Sequence, residues 1–239
     1  MPKASDVLAD YLRQRILDGE FRPGAMLPPE RTLVEESRLS RTAVREALRI
    51  LEIEGLIVTR PGRNGGSVVR RPNADAVARS LDVFIRGRRV RFHAILEARE
   101  RLEPICAELA AQRRSEDDLR ELEEVTGAVE RARDDVQAFL TENVEWHLAV
   151  ARASRNELLA AFMLALGNAV RAATDIDNFN SAEVRDGALR AHRKVLKAIA
   201  AGDGEGAHKA MQRHVHAYRE QVLRVPVPEE IELEPEATG

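Results

Sequence analysis

A mainly α protein carrying one short β-hairpin near its N-terminus is the fold this sequence predicts, and three observations point to it. Aromatic residues make up only 4% of the 239 residues while charged ones reach 32%, a composition that favours helices over sheets. Apolar residues recur at helical spacing along nearly all of the chain that follows Pro72. The segment LIVTRPGRNGGSVV departs from that pattern, with two β-branched runs flanking a glycine-rich turn.

From Ser5 to about Asp18, Val7, Leu8, Tyr11, Leu12, Ile16 and Leu17 recur at helical spacing behind Ser5 as a candidate cap. Gly19, Pro23, Gly24 and Pro28 break that helix, and PERTLVEESRL supplies a second, short one. Ser40 caps a third, whose buried stripe is Val44, Ala47, Leu48 and Leu51 and whose polar face carries Arg41, Thr42, Arg45 and Arg49. With the hairpin LIVTR–PGRNGG–SVV behind it, residues 1–72 read as a winged helix-turn-helix.

After the linker at Pro72 and Asn73, residues 73–225 read as an all-α antiparallel helical bundle. Its helices are expected at Ala74–Gly87, Phe92–Arg114, Ser115–Arg133, Val136–Arg152, Asn156–Thr174, Ser181–Ala201 and Gly204–Leu223. The second of these carries Ile95, Leu96, Leu102, Ile105 and Leu109 as its apolar set, and the third opens on Ser115 and Asp118 as a capping box. The tail, residues 226–239, has five acidic residues, three prolines and no basic residue, and is expected to be disordered.

Charge divides along the same boundary. Residues 1–72 hold 13 basic against 10 acidic residues, a net of +3, and the remainder holds 24 against 30, a net of −6. Within the basic part Arg31, Arg38, Arg41, Arg45 and Arg49 crowd together, the electrostatic footprint that a phosphate backbone attracts. The single cysteine, Cys106, excludes an internal disulfide, no apolar run is long enough to cross a bilayer, and the N-terminus lacks the apolar core of a signal peptide. A cytoplasmic protein without membrane association is expected.

Arg41 and Arg45 lie four residues apart, hence on one helix face, and an arginine fork can meet guanine O6 and N7 together. The order of motifs adds to this. LPPER, LSRTAVREALR and the EGLI leading into the hairpin resemble the GntR family of bacterial winged-helix regulators nearly end to end across residues 24–69. The resemblance implies binding to a double-stranded DNA operator, with Arg31 on a phosphate or base, Arg41, Thr42 and Arg45 in the major groove, and Gly62 and Arg63 at the wing. It assigns Pro28 and Glu30 structural roles. Two positions depart from the family pattern: Arg38 stands where glycine is usual in the turn, and Ser37 where an apolar residue is usual. A non-glycine residue in a left-handed turn conformation costs about 1 kcal/mol.

Three histidines, His147, His192 and His214, fall on separate predicted helices, and Asn143 precedes His147 by one helical turn, so a bundle core can bring all four to one metal ion. ILEARERLEPICAELAA, ENVEWHLAVARASRN, AHRKVLKAIAAGD and MQRHVHAYRE, in that order, resemble the FCD effector domain of the FadR-like branch of GntR regulators. That resemblance implies a divalent metal held by Asn143, His147, His192 and His214, with Asn143 at a position where an acidic ligand is commoner. Zinc, nickel and manganese all suit three imidazoles and one oxygen. His216, two residues beyond His214, points elsewhere around its helix. Arg99 matches an arginine lining the family's pocket, and Arg171 is a candidate for the opposite wall, so that a small carboxylate effector meets both metal and guanidinium.

The whole reads as a ligand-responsive, homodimeric regulator, a repressor in the family's commoner mode, that binds a palindromic operator and is modulated by a small organic acid. Two other readings remain at this point: a regulator that responds to the metal itself, and a metal-dependent hydrolase. No HExxH or comparable motif supplies a general base for the latter, and no catalytic residue is assigned.

Overall fold

A computed structural model describes residues 2–62, 65–71, 74–174 and 181–222. Two compact units divide between Ala76 and Val77. Arg63, the linker at 72–73 and the tail at 226–239 lie outside the described residues.

In the first unit α1 (Ala4–Leu17), α2 (Glu30–Ser37) and α3 (Arg41–Ile53) precede a hairpin of β1 (Ile57–Arg60) and β2 (Gly66–Val69). The strands pair antiparallel, with Ile57 opposite Val69 and Arg60 opposite Gly66. Residues 24–27 lie along β2 as well: Gly24 N–H donates to Val69 C=O at 2.8 Å and Leu27 N–H to Ser67 C=O at 2.8 Å. The core is Leu8, Leu12, Ile16, Leu27, Leu33, Val44, Ala47, Leu51, Leu56, Ile57 and Val69, one apolar stripe from each element. Arg13 closes the far side, donating to both carboxylate oxygens of Glu54 at 2.8 and 2.6 Å.

Helix starts follow local chemistry at most positions. The Ser40 hydroxyl accepts from Ala43 N–H at 3.2 Å, as a cap should. Ser5 does not act this way. Lys3 occupies the N-cap of α1 without a side-chain cap, and Ser5 lies inside the first turn, buried. The turn between α2 and α3 keeps the left-handed conformation despite its side chain, with Arg38 at φ 56°, ψ 24° and its N–H bonded to Val34 C=O at 3.0 Å.

The second unit comprises α4 (Ala74–Gly87), α5 (Phe92–Arg113), α6 (Glu116–Arg131), α7 (Val136–Ala153), α8 (Glu157–Thr174), α9 (Ala182–Ala200) and α10 (Gly204–Val222). Short connections fold neighbours back on each other, so that α6 packs on α7, α7 on α8 and α9 on α10, while α5 touches α7, α8, α9 and α10 and forms the axis of the bundle. The capping box at α6 is complete: Ser115 Oγ accepts from Asp118 N–H and Asp118 Oδ2 accepts from Ser115 N–H at 2.7 Å. A shorter Asp thus serves where Glu or Gln is usual.

The buried face of α5 differs from the apolar set expected of it. Ile105 is 42% exposed, and the stripe turned inward runs Ile95, Leu96, Arg99, Glu103, Cys106, Ala107 and Ala110. Two charged residues therefore occupy core positions on this helix. Pro104 sits beside them inside the helix and removes the backbone N–H that would have bonded toward Glu100.

The left-handed Arg38 generates a first test. Arg38→Gly should raise the stability of the N-terminal unit by about 1 kcal/mol, read as a higher urea midpoint by far-UV circular dichroism. An unchanged midpoint would mean that other contacts already offset the strain.

Candidate functional site

Each unit carries a cluster of polar side chains. In the first, the opening turn of α3 presents Arg41, Thr42 and Arg45 to solvent on the side opposite its buried stripe of Val44, Ala47 and Leu51. Glu30, the first residue of α2, accepts from Arg45 Nε at 2.8 Å. This bond orients the guanidinium and leaves its terminal NH₂ groups for a second partner. Arg31 is exposed and pairs with Glu35 at 2.9 Å, one turn along α2. Gly62, at φ 108°, gives the hairpin tip a backbone conformation that a side chain would strain.

In the second unit the bundle brings three imidazoles together. The nitrogens of His147 on α7, His192 on α9 and His214 on α10 lie within 4.8 Å of one another. His192 Nε2 and His214 Nε2 are 3.1 Å apart. Two lone pairs meet there unless one ring carries its proton on Nε2. Trp146 lies flat against His192, with ring centroids 3.7 Å apart and planes 7° from parallel, and its own Nε1–H donates to Thr126 Oγ1 at 2.9 Å. His192 is completely buried.

On the other side of the triad Glu103 Oε2 lies 2.6 Å from His147 Nδ1. An ionised carboxylate can only accept, so the proton belongs on Nδ1 and the lone pair of His147 on Nε2, facing into the cluster. Arg99 bonds Glu103 through Nε, lies over the Tyr218 ring at 5.5 Å, and brings a terminal nitrogen to 3.4 Å from His147 Nε2. Asn143 shares with Arg99, His147, Leu148 and Met163 the lining of a small cavity of about 10 Å³. Its buried Oδ1 has no hydrogen-bond partner among the described residues. An orphaned buried amide oxygen one helical turn from an imidazole lone pair is what a cation would satisfy, so this donor set fits a divalent ion.

Comparison with known proteins places both units in known families. Residues 4–66 match the model described as bacterial regulatory proteins, gntR family, and residues 94–217, more than half of the chain, match the FCD domain. The chain belongs to the GntR family, with an FCD domain as its helical unit. This GntR regulator is 29% identical to the HTH-type transcriptional regulator LutR of Bacillus subtilis over 84% of its own length and 92% of that protein. It is also 29% identical to the putative L-lactate dehydrogenase operon regulatory protein of Escherichia coli, over 89% and 84% of the two chains. Among solved structures, Streptococcus agalactiae GntR superimposes with a TM-score of 0.68 at 29% identity, covering 90% of this chain and 99% of that one.

The GntR regulator's fold thus gathers His147, His192 and His214, with Asn143 and Arg99 at their margin. Arg171 falls within α8, but its side chain lies outside the described residues, as does Arg63. His216 points away and bonds Glu100 at 2.8 Å. Sequence reasoning missed Glu103 and Trp146. The signal for Glu103 was present, because it stands four residues after Arg99 on the face that also carries Ile95, Cys106 and Ala110.

Burial governs the electrostatics here. It lowers the pKa of all three imidazoles: His147 against the opposing pull of Glu103, His192 well below the ordinary value with further repulsion from His214 and His147, and His214 to about 3. Burial pushes the Glu103 carboxyl the other way, but Arg99 and His147 outweigh it and hold the group well below the usual carboxylate range. The histidines are therefore neutral, with lone pairs available, beside an ionised glutamate.

The sign for stability follows. In the unfolded chain each histidine takes up a proton below about pH 6.5, whereas the folded protein resists protonation until lower pH, so folding stability falls as pH drops from 6.5 toward 3. Glu103 adds to the loss below its ordinary value of 4.5, since its folded pKa is depressed. In EDTA, thermal unfolding should occur at clearly lower temperature at pH 5 than at pH 7.5, with a slope of up to about 1.4 kcal/mol per pH unit for each histidine. A flat profile between those values would contradict neutral burial.

Proposed function

We propose that this GntR-family regulator binds a palindromic DNA operator as a homodimer and releases it when a small organic acid occupies a metal centre in the FCD domain. Residues 1–72 supply the DNA contacts, and 73–225 the effector site and the dimer contacts. The observation that carries this reading is the set of three neutral, buried imidazoles beside the unpartnered oxygen of Asn143.

At the DNA, Arg41, Thr42 and Arg45 enter the major groove while Arg31, Gly62 and Arg63 sit against the backbone or at the wing. Glu30 holds Arg45 by Nε, so its two terminal nitrogens address one guanine together. A twofold dimer places two such helices on the halves of a palindrome.

In the FCD domain His147, His192, His214 and Asn143 hold the ion, and Glu103 keeps the His147 tautomer correct. Zinc, nickel and manganese suit the donors, and Asn143 contributes no charge where an acidic ligand is commoner. A bound divalent ion supplies a Lewis-acidic anchor for an effector carboxylate. Arg99 and Arg171 are the cations placed to meet that anion. One relative named for an L-lactate dehydrogenase operon makes small hydroxy acids the first effectors to try. Coupling of roughly 1 to 3 kcal/mol between sites suffices for a 5- to 150-fold change in operator affinity. The protein works in the cytoplasm and catalyses no reaction.

A second reading has its own support. The cavity of about 10 Å³ beside Arg99, Asn143 and His147 holds roughly one water or one ion, too little for an acid unless the helices open. A regulator answering to the metal alone would need no more. Titrating metal with and without L-lactate while following operator binding separates the two: release by metal alone supports the second reading, and release only with acid supports the first.

Two substitutions test the halves independently. Arg45→Ala should abolish discrimination between operator and random duplex, a loss of about 1 to 3 kcal/mol per recognised base, with the melting temperature unchanged. Equal discrimination by the variant would remove Arg45 from base readout. His192→Ala should lose Ni²⁺ binding, read as loss of quenching of Trp146 fluorescence, and with it the effector response. Ni²⁺ quenching identical to the parent protein would sink the four-residue centre.

A further inference from the structure

A cavity of about 300 Å³ runs between α9 and α10, on the outer side of the histidine triad. Its size is that of a small-molecule site, some thirty times the space beside Asn143. Small residues such as Ala191 and Ala217 floor it, so the two helices leave room where larger side chains would have filled the gap. Three cations rim it: Arg190 and Lys194, one turn apart on α9, and Arg213 on α10. Among the described residues that line the cavity there is no aspartate or glutamate.

Exposed helical cations are ordinarily neutralised by a neighbouring carboxylate or solvated separately. Here Asp186, one turn before Arg190, is bonded by Arg133 at 2.6 and 2.9 Å, and Arg190 acts on it only at longer range. Glu130 is likewise paired with Arg193 at 2.6 Å, on the adjoining face of α9. At the inner end stand His214 and Tyr218. The Tyr218 hydroxyl itself is buried and does not open onto the cavity.

We infer that the groove between α9 and α10 is a binding site for a compact polyanion, bearing two or three acidic groups, gripped by Arg190, Lys194 and Arg213. Two guanidinium forks and an ammonium match oxyanions of either carboxylate or phosphate type, and three positive charges are under-compensated by a monocarboxylate. The site goes beyond the metal-centred effector reading and does not require it. His214 forms the wall between the two, so an anion held here touches a helix that also carries a triad residue.

The test uses the full chain stripped of metal with EDTA and then dialysed, so that failure of the metal reading leaves it intact. Citrate, inorganic pyrophosphate and acetate are titrated by isothermal calorimetry at low and at moderate salt. Citrate or pyrophosphate, whichever chemistry the site prefers, should bind one per chain at least tenfold more tightly than acetate, and more weakly as salt rises. Lys194→Ala combined with Arg213→Ala should weaken that binding at least tenfold while Ni²⁺ quenching of Trp146 fluorescence stays as in the parent. Affinity no better than acetate's, or an undiminished affinity in the double variant with a parental melting curve, overturns the proposal. Should the double variant melt early, Arg190→Gln gives the same reading from the other rim.

Discussion

A buried ion pair stands at the axis of the helical domain, and the rest of the effector half depends on it. Arg99 and Glu103 both face inward on α5, the helix that touches four others. Removing two charges from water costs several kcal/mol each, and their attraction offsets that cost only when the remaining donors and acceptors are satisfied as well. Glu103 meets the condition through His147 Nδ1, and Arg99 through the Tyr218 ring and the edge of His147. One carboxylate thus stabilises the guanidinium and also sets which nitrogen of His147 carries a lone pair. The triad inherits its orientation from a contact four residues long on a neighbouring helix.

The same logic extends outward through Trp146. Its ring packs on His192, and its N–H reaches Thr126, whose hydroxyl donates to Leu122 C=O at 2.6 Å. A chain of hydrogen bonds therefore links α6 to Trp146 on α7, whose ring stacks on His192 of α9. Such networks rigidify a core when every member is paired. Other buried polar atoms lack a hydrogen-bond partner among the described residues, among them His192 Nδ1, the Tyr218 hydroxyl and the Asn143 oxygen, and Asn143 lines the cavity of about 10 Å³.

The DNA-binding unit solves a simpler problem. A single apolar core of one stripe per element holds the third helix with its polar face outward, and Glu30 orients Arg45 across the gap between α2 and α3. Arg38 accepts a left-handed backbone that glycine would adopt more readily. Most of this was legible in the residues, because caps, breakers and 3.6-residue periodicity act over a few positions. Ser5 misled for the same reason: a serine before an apolar run looks like a cap, and only the true start at Ala4 shows its hydroxyl to lie two residues past the N-cap.

By itself the sequence determined the helices and hairpin, the membership of each segment in its family, and the set of side chains, Asn143, His147, His192 and His214, from which a metal centre can be built. These follow from spacing along the chain and from motif order, both local or linear properties. Only the tertiary structure decided which polar residues share the interior. Hydropathy turns Arg99 and Glu103 outward and Ile105 inward, whereas the crowding of four helices around α5 does the reverse. The stacking of Trp146 on His192, the proton on His147 Nδ1 and the cationic groove between α9 and α10 each arise from helices distant in sequence meeting at a particular rotation, and no periodicity within one helix carries that information.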